Sequence, residues 1–216
     1  GPVQPPATSP LAASMTTYSV FRATSNNPIP HKSSQLYVPQ IDNWGPEDAQ
    51  QNQGEPPRAM SYTDAIGLMR DRKAARQTAL YPAGLSIVPA DASQLPFREN
   101  TYGVYADAFP MFDIPFKYGR GWTQADDDAH AQVAVIGQQL NEKLFRGENS
   151  VGREINLDGR SYRIVGVMDH WDPQPLFFDA VNTGGFDDPT QLFVPFTRMI
   201  ELKVSTNGNN NCNKDP

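Results

Sequence analysis

The stretch VAVIGQQLNEKLFRGENSVGREINLDGRSYRIVGVM, Val133 to Met168, constrains this chain more than any other. Four consecutive apolar residues, Val133 to Ile136, read as a short strand. Gly137 ends that run, and Leu140, Leu144 and Phe145 then fall on one helical stripe. Two alternating runs follow and meet at Asp158-Gly159, a pair that accepts the positive φ angles of a tight hairpin turn. Within that hairpin Ile155 and Leu157 share a face, and Tyr162 and Ile164 can answer them across the ladder. Gly166, between Val165 and Val167, suits a place where another segment comes close.

The flanks repeat this mixture. SYTDAIGLMRDRKAARQTA, residues 61–79, predicts a helix capped by Ser61 and Asp64, with Ala65, Ile66, Leu68 and Met69 as its apolar stripe. Its basic far half, Arg70 to Arg76, suits the negative end of the helix dipole and reads as a solvated face. Strands are expected at 80–89 and 96–105, with an earlier one through Leu36, Val38 and Ile41. The aromatic patch ADAFPMFDIPFKYGRGW follows the second of these, and QLFVPF with TRMIEL makes a last strand and short helix. The pattern is neither purely doubly wound nor purely sandwich, so the expected class is α+β, a mixed β-sheet with a few packed helices in two subdomains. With 16 glycines and 20 prolines the chain is loop-rich, and no repeat recurs at periods of roughly 20 to 50 residues.

Charge and composition exclude several functions. The formal charge of −6 comes without the Lys/Arg face that a phosphate backbone requires, so nucleic acid is not an expected partner. Cys212 is the one cysteine, so no intrachain disulfide can form. No apolar run approaches the roughly 20 residues of a membrane-spanning helix.

Candidate chemistry is sparse. The turn at Gly137 has the strand, glycine, helix order of a phosphate loop, but it lacks G-x-G-x-x-G and any Lys-Ser/Thr pair, which leaves a structural glycine. His31, His130 and His170 lack metal-ligand spacing. Asp126, Asp127 and Asp128 lack the alternating ligands of a calcium loop and read as the first turn of a helix or an exposed loop. No catalytic, cofactor-binding or metal-ligating residue is therefore expected. Asp169, Asp172, Asp179, Asp187 and Asp188 cluster beside Trp171 and Phe177-Phe178, as acids and aromatics do in sugar sites. In WDPQPLFFDA, Pro173 and Pro175 stiffen the chain and hold Trp171, Leu176, Phe177 and Phe178 either against the sheet or outward as a surface for a partner or apolar substrate.

The order of these segments resembles the MacB-like periplasmic core domain of FtsX-type ABC transporter permeases. The resemblance rests on Gly119-Arg120, Asp126, Val133 to Ile136, Leu144-Phe145, Val151-Gly152-Arg153, the Asp158-Gly159 hairpin and Val165-Gly166-Val167, in that order. NNPIPHKSSQLYVPQ and SYTDAIGLM resemble the family's first strand and helix. The resemblance implies a non-enzymatic periplasmic domain of an inner-membrane permease, moved by a separate cytoplasmic ATPase subunit, in contact with substrate, a periplasmic adaptor or an envelope protein, in a dimeric parent. On this basis residues 1–14 are expected to be an expression remnant and linker, 15–33 a membrane-proximal segment, 34–204 the core domain and 205–216 a polar tail. The alternative is a small secreted carbohydrate-active or ligand-binding protein that uses the 169–188 acids and aromatics.

Overall fold

The apolar runs of the sequence become strands, and their alternation decides which side chains meet. The computed structural model describes residues 29, 31–37, 62–173, 176–179 and 188–201. The chain divides into two compact units, Gly1–Tyr37 with Pro173–Asp187, and Val38–Asp172 with Asp188–Pro216.

Among the described residues of the larger unit come first α1 (Tyr62–Asp71), β1 (Tyr81–Val88), β2 (Phe97–Val104) and the short α2 (Ala108–Met111). Next come β3 (Phe116–Gly119), α3 (Gln124–Asp128), β4 (Val133–Ile136) and α4 (Gln138–Phe145). The hairpin β5 (Glu154–Leu157) and β6 (Arg160–Met168) follows, and β7 (Leu192–Pro195) with α5 (Phe196–Glu201) ends the described chain.

The seven strands form one mixed sheet in the order β3-β6-β4-β7-β2-β1-β5, and β5 pairs in turn with β6. Six strands therefore close into a ring, and β3 flanks the far end of β6. The β2–β7 and β4–β6 pairs are parallel, and the remaining pairs are antiparallel. Closure removes most of the exposed edges of a small sheet. β4 and β7 are buried at every residue, as expected for strands covered on both faces.

Residues two apart on each strand share a face. One core cluster accordingly takes Leu85 and Ile87 from β1, Ala134 and Ile136 from β4, Ile155 and Leu157 from β5, and their counterparts on β6 and β7. Leu140 of α4 and Met199 of α5 join the same cluster. Phe193, on the opposite face of β7, meets a second, aromatic layer: Tyr102 at 6.3 Å and Phe109 at 6.1 Å between ring centroids. Phe109 also packs edge-on against Trp122 at 4.5 Å. The aromatic patch of the sequence is thus the lining of this second layer.

The hairpin forms as expected. Ile155 pairs with Tyr162, and Asp158 and Gly159 turn the chain at φ +49° and +80°. Gly166 does admit a close neighbour: a methyl group there would lie 2.5 Å from the Arg120 carbonyl oxygen. The partner position answers in kind, since Gly119, at φ +65°, would carry its methyl 2.2 Å from the carbonyl oxygen of Val165.

Two expectations need correction. The helix expected over 61–79 ends at Asp71, because the apolar stripe ends at Met69 and the cations beyond it have nothing to bury. Leu68, expected on that stripe, is 42% exposed. Ser61 lies outside the described residues. The early strand through Leu36 is instead a 3-10 turn at Ser33–Gln35 followed by irregular chain, since short hydroxyl side chains favour turns. Val38 and Ile41 lie outside the described residues.

In the smaller unit the turn is held by Lys32 N–H to the Ile29 carbonyl at 3.0 Å and Gln35 N–H to the Lys32 carbonyl at 2.8 Å. Its other segment turns at Leu176, whose carbonyl accepts from Asp179 N–H at 3.1 Å.

Candidate functional site

The residues that could receive a ligand converge where β4 gives way to α4. Gly137, Gln138 and Gln139 form one wall, Met168 to Trp171 a second, and Pro189 to Gln191 a third. The start of an eight-residue helix offers unpaired amides to an anion. Here they are already taken: Gln191 Oε1 accepts from Gln139 N–H at 3.0 Å and from Leu140 N–H at 3.2 Å. The Gly137 amide donates to the Gln191 carbonyl at 2.7 Å. A methyl group at Gly137 would sit 2.2 Å from Gln191 Oε1, so this glycine makes room for a side-chain cap and not for a phosphate.

The rest of the cleft is modest. Asp169 and His170 are exposed, and the Asp169 carboxylate accepts from the His170 amide at 2.9 Å. Trp171 is half-buried, with its ring 5.9 Å from that of Phe193. The volume of about 50 Å³ suits a few waters, whereas small-molecule sites run to roughly 300 to 1,000 Å³. Asp172 and Asp188 are exposed and Asp179 is buried, while Asp187 lies outside the described residues.

Of the apolar quartet, Leu176 is 1% and Phe178 4% exposed, whereas Phe177 is half-buried and packs edge-on against Phe178 at 5.4 Å. Pro173 is buried, and Pro175 lies outside the described residues. Gly119, Gly166 and Arg120 form the close crossing of β3 and β6, with Arg120 N–H donating to the Val165 carbonyl at 3.2 Å. Gly152, at φ +87°, turns the chain into β5 with its amide on the Ile164 carbonyl.

The acidic run does form a helical turn. Thr123 and Asp126 cap α3 reciprocally, and this hydrogen bonding holds the Asp126 carboxyl below its ordinary pKa. Asp127 is the residue that sequence reasoning did not separate from its neighbours. It is 2% exposed, and its carboxylate accepts from Trp122 Nε1–H at 2.9 Å and from Ala106 N–H at 2.7 Å. Burial pushes its pKa up to about 6 against the pull of those donors. Burial also raises the neighbouring Tyr105 phenol to about 12. Asn141 and Ser150 were missed in the same way: Ser150 Oγ donates to Asn141 Oδ1 at 2.6 Å, both buried. His130, at φ +49°, places Nδ1 on the Glu201 carboxylate, which also accepts from Arg198 at 2.6 Å. Among the described residues no group of three or more His, Cys, Asp and Glu side chains could hold a metal ion, and no helix is long and apolar enough to cross a membrane.

Comparison with known proteins gives the arrangement a context. A family model described as the MacB-like periplasmic core domain matches residues 11–211. An uncharacterized ABC transporter permease of Bacillus subtilis, YvrN, is 28% identical over an alignment of 109 residues that covers 44% of this chain and 27% of that protein. The macrolide export ATP-binding/permease protein MacB of Syntrophobacter fumaroxidans is 27% identical over 52% of this chain and 14% of its own length. The pyoverdine export ATP-binding/permease protein PvdT of Pseudomonas aeruginosa is 30% identical over 42% of this chain and 15% of its own. The chain thus spans only a small part of the curated relatives it matches.

Two solved structures share the fold. The periplasmic region of MacB from Actinobacillus actinomycetemcomitans superposes with a TM-score of 0.51 at 20% identity, over 74% of this chain and 64% of that one. The extracellular domain of the noncanonic ABC-type transporter YknZ from Gram-positive bacteria gives 0.52 at 15% identity, over 79% and 76%.

Proposed function

The chain belongs to the MacB-like periplasmic core domain family, and on that premise we propose that it is the extracytoplasmic part of an ABC transporter permease that relays ATP-driven motion to a substrate or envelope partner. The observation that carries this reading is a family match running through almost the whole chain, together with a closed sheet whose tight crossings suit a body that moves as a unit. The domain performs no chemistry of its own in this reading, and ATP is hydrolysed by a separate domain or subunit. A cleft of about 50 Å³, with its helix terminus capped from within, supports a mechanical role over a catalytic one. The family match favours this reading over the carbohydrate-active alternative.

Partner contact is proposed for Trp171 of the larger unit and, separately, for Phe177 of the smaller one, each half-buried, with a dimeric parent and an envelope protein as the counterpart. Leu176 and Phe178 contribute by packing, since both are buried.

The test uses the whole permease reconstituted with its ATPase in nanodiscs. Leu95, 84% exposed on the β1–β2 loop, is replaced by cysteine in a permease from which Cys212 and every other reactive cysteine have been removed, and labelled for distance measurement between two copies. Motion relay requires the distance distribution to differ between ATP-bound and ADP-bound states. Identical distributions, with ATP hydrolysis intact, would refute it.

A further inference from the structure

Among the described residues a cationic stretch runs from the last two residues of α1 into the loop that follows it. RDRKAAR, Arg70 to Arg76, holds four cations against the single acid Asp71, in a chain whose formal charge is −6. All seven residues are exposed. Lys73 Nζ sits 3.2 Å from Asp71 Oδ2. Arg70, Arg72 and Arg76 have no carboxylate partner among the described residues.

This loop is tied at its base. Gln77 Nε2 donates to the Met69 carbonyl, closing the loop on the last turns of α1. Gln77 N–H donates to Asp107 Oδ2 at 3.1 Å, and Thr78 Oγ1 accepts from Tyr105 N–H at 3.0 Å, which fastens the same base to the turn after β2. Arg72 adopts φ +44°, a left-handed conformation uncommon for a non-glycine residue. Surface loops with joined ends and a preset shape are frequently functional.

We propose that Arg70–Arg76 is a preformed docking loop for an acidic protein segment, recognised by the three unpaired arginines and held in shape by the Gln77 clamp. Arginine outnumbers lysine here, and its forked donors meet carboxylates in two-pronged pairs. The tip carries only Ala74 and Ala75 as apolar side chains, so it offers nothing bulky to insert among lipid tails. On a chain of net negative charge a cationic stretch steers an acidic partner toward itself. The proposal goes beyond the reading of the domain as a mechanical relay, and its test does not depend on that reading.

Binding of a short fluorescein-labelled oligoglutamate peptide to the full chain is read by anisotropy, at low salt and at about 0.15 M salt. The expected result is salt-sensitive binding, weakened about tenfold in Arg70→Gln/Arg72→Gln/Arg76→Gln. The charge-matched control Lys117→Gln/Arg160→Gln/Arg163→Gln, at three other exposed positions, binds nearly as wild type. Gln77→Ala keeps every arginine yet binds several-fold more weakly, with thermal unfolding confirming that each variant is folded. Equal losses in the two triple variants, no peptide binding at low salt, or undiminished binding by Gln77→Ala would each overturn the proposal. So would loop-dependent flotation with vesicles of equal parts phosphatidylcholine and phosphatidylglycerol in the absence of peptide binding, which would make lipid headgroups the occupant.

Discussion

The Asp127 carboxylate holds the indole of Trp122 by a 2.9 Å hydrogen bond, and its second oxygen holds the backbone of Ala106. One buried acid therefore joins α3 to the turn after β2 and orients the ring that packs on Phe109. Its folded-state pKa of about 6 lies above the ordinary 3.8 because burial disfavours the charge. A raised pKa means that the folded protein takes up this proton before the unfolded chain does. The resulting stabilisation is complete below pH 3.8 and is lost as pH rises through about 6.

Asp127→Asn removes that titration. The amide cannot accept from both donors, so the variant is less stable throughout, by about 1 to 3 kcal/mol. Its deficit relative to wild type widens as pH falls from 7 to 4, by up to about 3 kcal/mol. Denaturant unfolding of both proteins across that range provides the check. A pH-independent deficit would show that Asp127 titrates normally in the fold.

The crossing of β3 and β6 yields a ranking. Gly119→Ala and Gly166→Ala each push a methyl group against a backbone carbonyl, at 2.2 and 2.5 Å, where only the strands themselves can yield. Gly152→Ala meets no atom within 4 Å and pays only for its positive φ. We expect about 3 kcal/mol or more for each crossing variant and about 1 kcal/mol for Gly152→Ala by urea titration. Similar costs at all three sites would mean that the crossing relaxes easily.

How much of this the sequence revealed follows from the range over which each signal acts. β4, the turn at Gly137, α4 and the Asp158-Gly159 hairpin were legible because local periodicity and turn chemistry specify them. The closed ring was not, since the β1–β5 contact that completes it joins Ile87 to Leu157, far apart in the chain. The end of α1 was misjudged because Arg, Lys and Ala are good helix formers, whereas tertiary hydrogen bonds at Gln77 and Thr78 draw the chain out of the helix. Asp127 stood in a run of three identical residues, and only packing against Trp122 singles it out.

The glycine and glutamine at the start of α4 should be coupled. Gln191→Ala removes the acceptor for two helix N–H groups and costs about 1 kcal/mol. Gly137→Ala displaces that same side chain by placing a methyl group 2.2 Å from its Oε1. The double variant is then expected to be more stable than the sum of the single effects allows, by about 0.5 to 1 kcal/mol in a thermodynamic cycle. Strict additivity would locate the Gly137 constraint in the backbone of Gln191, which lies 3.0 Å from the same methyl position.

The apolar quartet separates packing from docking. Phe178, 4% exposed, is a packing residue, and Phe178→Ala should cost about 3 kcal/mol or more. Loss of partner capture in that variant would therefore say nothing about a surface. Phe177 and Trp171 are each only half-buried, so Phe177→Ser and Trp171→Ala are the informative changes. Trp171→Ala also gives up its contact with Phe193 and should cost about 1 to 2 kcal/mol, which calls for a matched control. Tyr102→Leu serves as that control, because Tyr102 likewise packs on Phe193 but is 6% exposed. Under the proposed function, docking predicts that partner capture falls in Phe177→Ser and Trp171→Ala while Tyr102→Leu, of similar melting temperature, captures the partner normally. A loss that tracks melting temperature across all three would assign these aromatics to packing alone.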